Sequence, residues 1–147
     1  MARKLVFLAL VLFLLAFPAL GLLWIWSDGH SKVRLSAIAE ANRVMPELLA
    51  ATDLATLDSY GTLEFRQSRQ AAAFVEARLK MGRPVSSGSA RAVGSKSGSK
   101  NDRVWHFVDL VTDVRFDSGA AKVRLKLARE TMAPDWRIED IVISQNP

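Results

Sequence analysis

Cysteine is absent from the 147 residues of the sequence. This absence excludes a disulfide framework, a thiolate nucleophile and any zinc or iron–sulfur site with cysteine ligands. Histidine is scarce, and His30 and His106 lie too far apart in the chain to predict a zinc site. Neither a calcium-loop pattern nor a Gly-rich phosphate-binding motif occurs. The sequence therefore predicts a domain without metal or cofactor that depends on its own hydrophobic core.

Charged residues are missing from Leu5 to Trp26. As a helix this run would be about 33 Å long at roughly 1.5 Å per residue, which is enough to cross a hydrocarbon core of about 30 Å. We predict a transmembrane anchor at residues 5–26, preceded by a tail of residues 1–4 and followed by a linker of residues 27–30. A cleaved signal peptide is the alternative, with a small-x-small site at 19–21. Cleavage there would leave an apolar new N-terminus.

The orientation of the anchor follows from the few charges around it. Arg3 and Lys4 favour a cytoplasmic N-terminus, although Lys32, Arg34 and Arg43 weaken that bias. We expect a single-pass protein of a bacterial inner (cytoplasmic) membrane, with its domain on the periplasmic side.

The rest of the chain, residues 31–147, predicts one water-exposed α+β domain. Apolar residues recur at helical spacing up to Leu57 and again from 69 to 81, and Pro46 is expected to restart a helix. Residues 86–101 are rich in serine, glycine and lysine, which predicts a flexible loop, with a short strand at 90–93 as an option within it. From Val104 onward the apolar residues alternate, which predicts strands.

The first predicted hairpin turns at residues 117–119, and its register follows from matching the apolar positions of its two strands. Leu110 then lies opposite Leu125. The same register places Asp113 opposite Lys122 and Asp109 opposite Lys126, and a change of parity at residues 139–140 predicts a β-bulge. We therefore expect a curved antiparallel sheet of three or more strands with helices packed on one face.

A helical half followed by such a sheet, ending in Asp135-Trp136-Arg137-Ile138 and alternating aliphatic residues, resembles the cone-shaped nuclear-transport-factor-two-like and cystatin-like folds. The resemblance covers roughly residues 31–144. It implies helices packed on a curved sheet, with an apolar pocket between them. Membrane-anchored members include an inner-membrane component of type IV secretion systems, and the chain also looks like membrane-anchored cytochrome oxidase assembly proteins. Fold likeness alone supplies no function.

Basic residues concentrate between positions 66 and 103, where nine basic residues stand against two acidic ones. Such a patch favours anionic lipid headgroups or an acidic protein partner, and a solvated face that only aids solubility is the alternative. Nucleic acid is not expected, because aromatic residues are not interleaved there. The predicted patch consists of Arg66, Arg69, Arg78, Lys80, Arg83, Arg91, Lys96 and Lys100.

No catalytic set emerges from the remaining polar residues. His106 has the inward parity of its predicted strand, whereas Asp109 and Asp113 have the opposite parity, so a core or rim histidine is favoured over a catalytic base. We predict a membrane-tethered, non-catalytic interaction domain, an accessory or assembly factor of a membrane or envelope complex. The alternative is a domain that binds a small apolar ligand or a lipid, in a pocket lined by Phe74, His106, Val108, Leu110 and Leu125.

Overall fold

The computed structural model describes residues 29–145. Residues up to 33 and residues from 34 onward form separate units. The predicted tail, the anchor at 5–26 and the first half of the linker lie outside the described residues. Within residues 29–145, no helix is long and apolar enough to cross a membrane. Gly29 and His30, expected in the linker, are helical.

Four helices precede the sheet in the second unit. The helical stretch of residues 29–50 contributes α1, residues 34–50, to it. The others are α2 (Leu54–Tyr60), α3 (Leu63–Gln67) and α4 (Gln70–Met81). Each short helix begins at a polar cap: Asp53 accepts a hydrogen bond from the backbone of Thr56, and Thr62 accepts one from the backbone of Phe65.

The predicted restart of a helix at Pro46 is wrong, because α1 continues through this residue. Pro46 lies on the exposed side, whereas Val44 and Leu48 on either side of it are buried. Proline cannot donate a helical hydrogen bond, and its ring crowds the preceding turn, but both effects lie on the solvent side of α1. Packing of the opposite side against the core keeps the helix continuous.

Five strands form one antiparallel sheet, so the α+β class with helices and an antiparallel sheet is confirmed. They are β1 (Pro84–Ser87), β2 (Arg91–Lys100), β3 (Arg103–Phe116), β4 (Gly119–Glu130) and β5 (Arg137–Gln145). Both β1 and β2 pair with the same edge of β3, and β4 and β5 follow on its other side. Beyond β5, Gly61 forms a single parallel bridge with Ile138.

The predicted loop at 86–101 differs most from the structure, because most of it is strand β2. Its ladder with β3 runs from Arg91 to Lys100 and is interrupted by one bulge between Ala92 and Gly94. A tight turn at 101–102 closes the hairpin, and both of its residues have positive φ, as a type I′ turn requires. Main-chain pairing forms this strand, and its small polar side chains carry no apolar alternation that would reveal it.

The predicted register of the β3–β4 hairpin is confirmed: Leu110 lies opposite Leu125, Asp113 opposite Lys122 and Asp109 opposite Lys126. The predicted bulge is confirmed as well, because the β4–β5 register shifts where Glu139 is inserted. The charge partner of Asp113 differs from the expected Lys122, because its carboxylate lies 3.3 Å from the guanidinium of Arg91 on β2.

One face of the sheet, called here the inner face, is buried under the helices. Helix α1 spans this face, because the side chain of Asn42 accepts a hydrogen bond from Ala90 beside β2 and Ser36 accepts one from the indole of Trp136 before β5. Helix α4 packs against β5. The core between these layers includes Val44, Leu48, Phe65, Phe74, Val108, Leu110, Val123, Leu125, Leu127, Ile138 and Ile141.

The sheet is strongly curved at the end where β2 meets β3. The ammonium of Lys100, at the end of β2, lies 2.8 Å from the carboxylate of Glu64 on α3, which follows the segment bridged to β5. In a flat sheet these elements would be four strand spacings apart, or about 19 Å at ~4.8 Å each. The two side chains can meet because the sheet is curved.

Candidate functional site: the outer face of the sheet

The outer face is the set of strand positions that alternate with the buried ones, on the side of the sheet opposite the helices. Nine of these positions are basic and four are acidic, which leaves an excess of five positive charges. Many of these side chains are exposed. The basic members are Arg91, Lys96, Lys100, Arg103, Arg115, Lys122, Arg124, Lys126 and Arg137, and the acidic ones are Asp109, Asp113, Glu130 and Asp140.

An open groove of about 550 Å³ lies on this face across the middle of the strands. Three valines give it apolar walls: Val93, which is 61% exposed, Val142, which is 46% exposed, and the half-buried Val111. Val93 occupies the β2 bulge, a feature that re-aims a side chain. The remaining lining residues are Asp109, Leu110, Arg124, Leu125, Lys126 and Asp140.

Charges of both signs line the groove in a fixed order. Lys126 of β4 has Asp109 opposite it on β3 and Asp140 opposite it on β5, and exposed Arg124 lies two residues away on the same face. One carboxylate oxygen of Asp140, Oδ1, is buried, and no described residue gives it a hydrogen-bond donor. A buried acceptor without a donor is destabilising. The groove wall therefore carries two basic and two acidic side chains, and Oδ1 of Asp140 is buried behind its surface.

An aromatic side chain organises the neighbouring part of the outer face. The ammonium groups of Lys96 and Lys126 lie 5.8 and 5.4 Å from the ring centroid of half-buried Phe107. Both distances suit cation–π attraction. Phe107 thus favours side-chain conformations that keep these two positive charges beside the groove.

The structure divides the predicted basic patch between two surfaces. Arg91, Lys96 and Lys100 lie on the outer face, whereas Arg66, Arg69, Lys80 and Arg83 are exposed on or after the helices. Arg78 is a correction, because its side chain is only 9% exposed and its Nε donates a 2.6 Å hydrogen bond to the carbonyl of Leu49. It joins α4 to the end of α1 and is no part of a docking surface.

Three members of the predicted patch have anionic partners, and one of them is Arg91, whose ion pair with Asp113 is described above. The hydrogen bond with Lys100 holds the pKa of the Glu64 carboxyl below its ordinary value, and the same bond raises the pKa of Lys100. Lys80 bonds Glu76 one helical turn away at 2.7 Å and lowers the pKa of that carboxyl. Arg124, by contrast, is an exposed outer-face cation in the wall of the groove.

Four of the five residues predicted to line an apolar pocket lie in the packed core, and the fifth lies outside it. Phe74, Val108, Leu110 and Leu125 are at most 2% exposed and belong to the packed core. Phe74 also borders a groove of about 280 Å³ between α4 and β5, while Leu110 and Leu125 border the outer groove on the other side of the sheet.

His106, the fifth of these residues, is partly exposed on the inner parity of β3. Its Nδ1 lies 2.8 Å from the hydroxyl of Ser97, and its Nε2 lies 3.3 Å from the hydroxyl of Thr131. Hydroxyl groups therefore lie at hydrogen-bond distance from both ring nitrogens. The cross-strand position of Ser97, directly opposite His106, accounts for the first of these contacts.

Sequence reasoning missed the β4 cations as site residues. Lys122, Arg124 and Lys126 occupy every second position of β4 between buried residues, and this alternation was visible in the sequence. Because strand side chains point alternately to opposite faces, the pattern that predicted the core also contained the signal for a basic row on the other face, which was not predicted.

Comparison of the chain with protein-family models, with curated proteins and with solved structures gives no match.

Proposed function

We propose that this protein is a membrane-tethered, non-catalytic interaction domain that holds an anionic partner on the outer face of its sheet. In this role it is an accessory or assembly factor of a membrane or envelope complex. The tether is the uncharged run at residues 5–26, and the domain is expected on the periplasmic side of a bacterial inner membrane. The observation that carries the proposal is the excess of five positive charges on an exposed sheet face.

Two physical arguments favour binding over a passive role for this face. Positive side chains gathered on one surface attract an anionic partner and raise its rate of encounter. The excess of positive charge on the face also causes repulsion that its four acidic residues offset only in part, and an anionic partner would relieve the remainder. Phe107 also attracts two lysine ammonium groups beside a groove with apolar walls. A surface that serves only for solubility requires neither feature.

The test is a comparison of two charge-reversal variants of the full-length protein. One variant carries Lys96→Glu, Arg115→Glu and Arg124→Glu on the outer face. The control carries Arg69→Glu, Lys80→Glu and Arg83→Glu on the helical side, which changes the net charge by the same amount. All six side chains are exposed, so both variants are expected to fold, and far-ultraviolet circular dichroism checks this.

Each protein is captured by affinity from membranes in mild detergent, and the co-purified proteins are quantified by mass spectrometry. We expect a partner that is retained by wild type and by the control but lost from the outer-face variant. Its retention should weaken as the salt concentration rises. Equal retention by all three proteins, or equal loss from both variants, would show that the outer face has no specific role in binding.

A further inference from the structure

We infer that strand β5 docks on a second copy of this chain, with the two β5 strands paired antiparallel across a two-fold axis at Val142. The docking surface is the free edge of β5, the side of the strand turned away from β4. This edge is a different surface from the outer face, so the inference goes beyond the proposed function and does not depend on it.

The main chain of the free edge is open along most of its length. At its beginning Gly61 bridges Ile138, and the N–H of Thr62 donates a 2.9 Å hydrogen bond to the carbonyl of Ile138. From residue 140 to residue 145, no hydrogen bond joins this edge to another main-chain group of residues 29–145. The donors and acceptors of an open strand edge are spaced to pair with another extended strand. The edge is therefore suited to an added β-strand.

The side chains of the free edge lack the features that commonly block strand pairing. Edge strands are usually protected by lysine, proline or a bulge, and β2 on the other side of the sheet carries Lys96 and Lys100. The run Ile141–Ile143 of β5 is uncharged and β-branched, and its ladder with β4 is regular. Val142 is nevertheless 46% exposed. This run is therefore available for pairing with a further strand.

A groove of about 280 Å³ between α4 and β5 gives room for the side chains of an added strand. Ile141 and Ile143 border it from the inner parity of β5 and Val142 from the outer parity, so the groove opens at the edge of the strand. The bordering residues of α4 are Gln70, Ala73, Phe74 and Ala77. Because two of these are alanines, a neighbouring chain can approach α4 closely.

The sequence of β5 is complementary to itself in one antiparallel register, which is the argument for a second copy. In the register centred on Val142, residues of the same face meet, apolar with apolar and acidic with neutral polar. The centres at Ile141 and Ile143 instead place Val142 opposite Asp140 or Ser144. The pairs in the favoured register are Val142 with Val142, Ile141 with Ile143 and Asp140 with Ser144.

A two-fold pair of this kind is compatible with the helices and with the predicted tether. The axis that relates two antiparallel strands is perpendicular to the sheet, so α1 of both copies lies on the same side of the joined sheet. Both chains can therefore be anchored in one membrane. The two copies of α4 would meet beside the axis at the flank with Ala73 and Ala77, where short side chains permit close helix packing.

Single-cysteine variants report the register directly, because the chain contains no cysteine. Full-length Val142→Cys, Ser144→Cys and Val93→Cys, all at exposed positions, are oxidised in membranes with copper phenanthroline and analysed on non-reducing gels. Opposite residues of an antiparallel pair have Cα atoms about 4.5–5.5 Å apart, which suits a disulfide. Ser144 would lie about 14 Å from its own copy along the strands, at ~3.4 Å per residue. We expect Val142→Cys to form disulfide-linked dimers at least about tenfold faster than the other two variants, since pairing holds its thiols together.

Sedimentation equilibrium in density-matched detergent measures the dimer without cross-linking. Val142→Lys places two positive charges opposite each other at the axis, and we expect it to raise the Kd of the dimer at least about tenfold. Ser144→Lys is the matched control, because it adds the same charge opposite Asp140 of the second copy and should retain the dimer.

Three results would overturn the inference: a monomeric wild type, equal cross-linking at all three cysteine positions, or an unchanged Kd in Val142→Lys. A monomer in which the thiol at position 142 links to a different protein would show that the edge takes another strand, and it would also overturn the inference. The charge-reversal variants of the outer face leave β5 unchanged, so the proposed function stands or fails separately.

Discussion

Replacement of Arg78 by methionine tests whether this arginine is a structural residue or a docking residue. The side chain is only 9% exposed, and its Nε donates a 2.6 Å hydrogen bond to the carbonyl oxygen of Leu49. Leu49 lies in the last turn of α1, residues 34–50, where carbonyl groups have no partner within the helix. Arg78 therefore caps α1 from a neighbouring helix and places a positive charge at the negative end of its dipole.

The size of the effect follows from these two contributions. A hydrogen bond that involves a charged group contributes about 1.5–3 kcal/mol, and a cation at a helix C-terminus adds roughly 0.3–1 kcal/mol. Methionine keeps much of the buried aliphatic contact, so we expect Arg78→Met to lower the free energy of unfolding by about 2–3 kcal/mol. For a domain of this size the melting temperature should fall by roughly 10 °C.

The matched control is Lys80→Met, which removes the same charge from the same helix. Lys80 is exposed and pairs with Glu76 at 2.7 Å, an arrangement that contributes about 0.3–0.5 kcal/mol. Thermal unfolding of the full-length protein in mild detergent, followed by far-ultraviolet circular dichroism, gives both values. Equal destabilisation by the two substitutions, or none by Arg78→Met, would refute the capping role. Loss of partner capture by folded Arg78→Met would restore Arg78 as a docking residue.

Two further stability predictions follow from close contacts. A methyl group on Gly61 would lie 2.5 Å from Cδ1 of Phe65, which is 1% exposed, so Gly61→Ala should lower the free energy of unfolding by about 1–3 kcal/mol through overpacking. In Gly98→Ala the new methyl meets no atom of residues 29–145 within 4 Å, so the free energy of unfolding, measured by urea denaturation, should change little. An equal loss of stability in both variants would argue against the clash between Gly61→Ala and Phe65. The pair of Lys100 and Glu64 should give a pH-dependent stability, because it lowers the pKa of Glu64 and raises that of Lys100. This small stabilisation is present at neutral pH, is lost as the pH falls through the lowered pKa of Glu64 and is lost as the pH rises through the raised pKa of Lys100. The difference in melting temperature between wild type and Lys100→Met should therefore be largest near neutral pH; a difference that does not vary with pH would contradict the pair.

The sheet was predictable where one of its faces is buried. In β3 and β4 most residues of one parity are apolar, and sliding one strand by a single residue would expose that whole set. This constraint determined the pairing of Leu110 with Leu125, and it also located the bulge at Glu139, where the apolar parity changes. Local composition and burial agree in these strands.

Strand β2 was not predictable on the same grounds. Its side chains are mostly exposed, so no apolar alternation marks it, and its glycines and serines are typical of loops. The strand is formed by main-chain pairing with β3, which any sequence without proline can provide. Edge strands with small and charged side chains are poorly marked in a sequence, because the features that protect them from aggregation also remove their pattern.

The basic patch failed as a single surface for a geometric reason. Counting charges along the chain groups residues that are close in sequence, and this count joined α4 to β2. The fold places Arg78 in the core, Lys80 on the helical side and Lys96 on the outer face. Meanwhile it brings Arg115 and Arg124, which are distant from β2 in sequence, onto the same face as Lys96. Only parity within the strands could reveal that surface.

The composition of the outer face bears on the choice between a docking surface and a face that only aids solubility. A face that only keeps the domain soluble needs scattered charges and no apolar groove, since exposed apolar area is unfavourable in water. Here Val93 and Val142 border one groove while 61% and 46% exposed, and a bulge in β2 carries the first of them. In a regular ladder the side chains of β2 would simply alternate between the two faces. The bulge interrupts this alternation at Val93. An exposed apolar groove is unfavourable in water, and this observation supports the proposal that the outer face binds a partner.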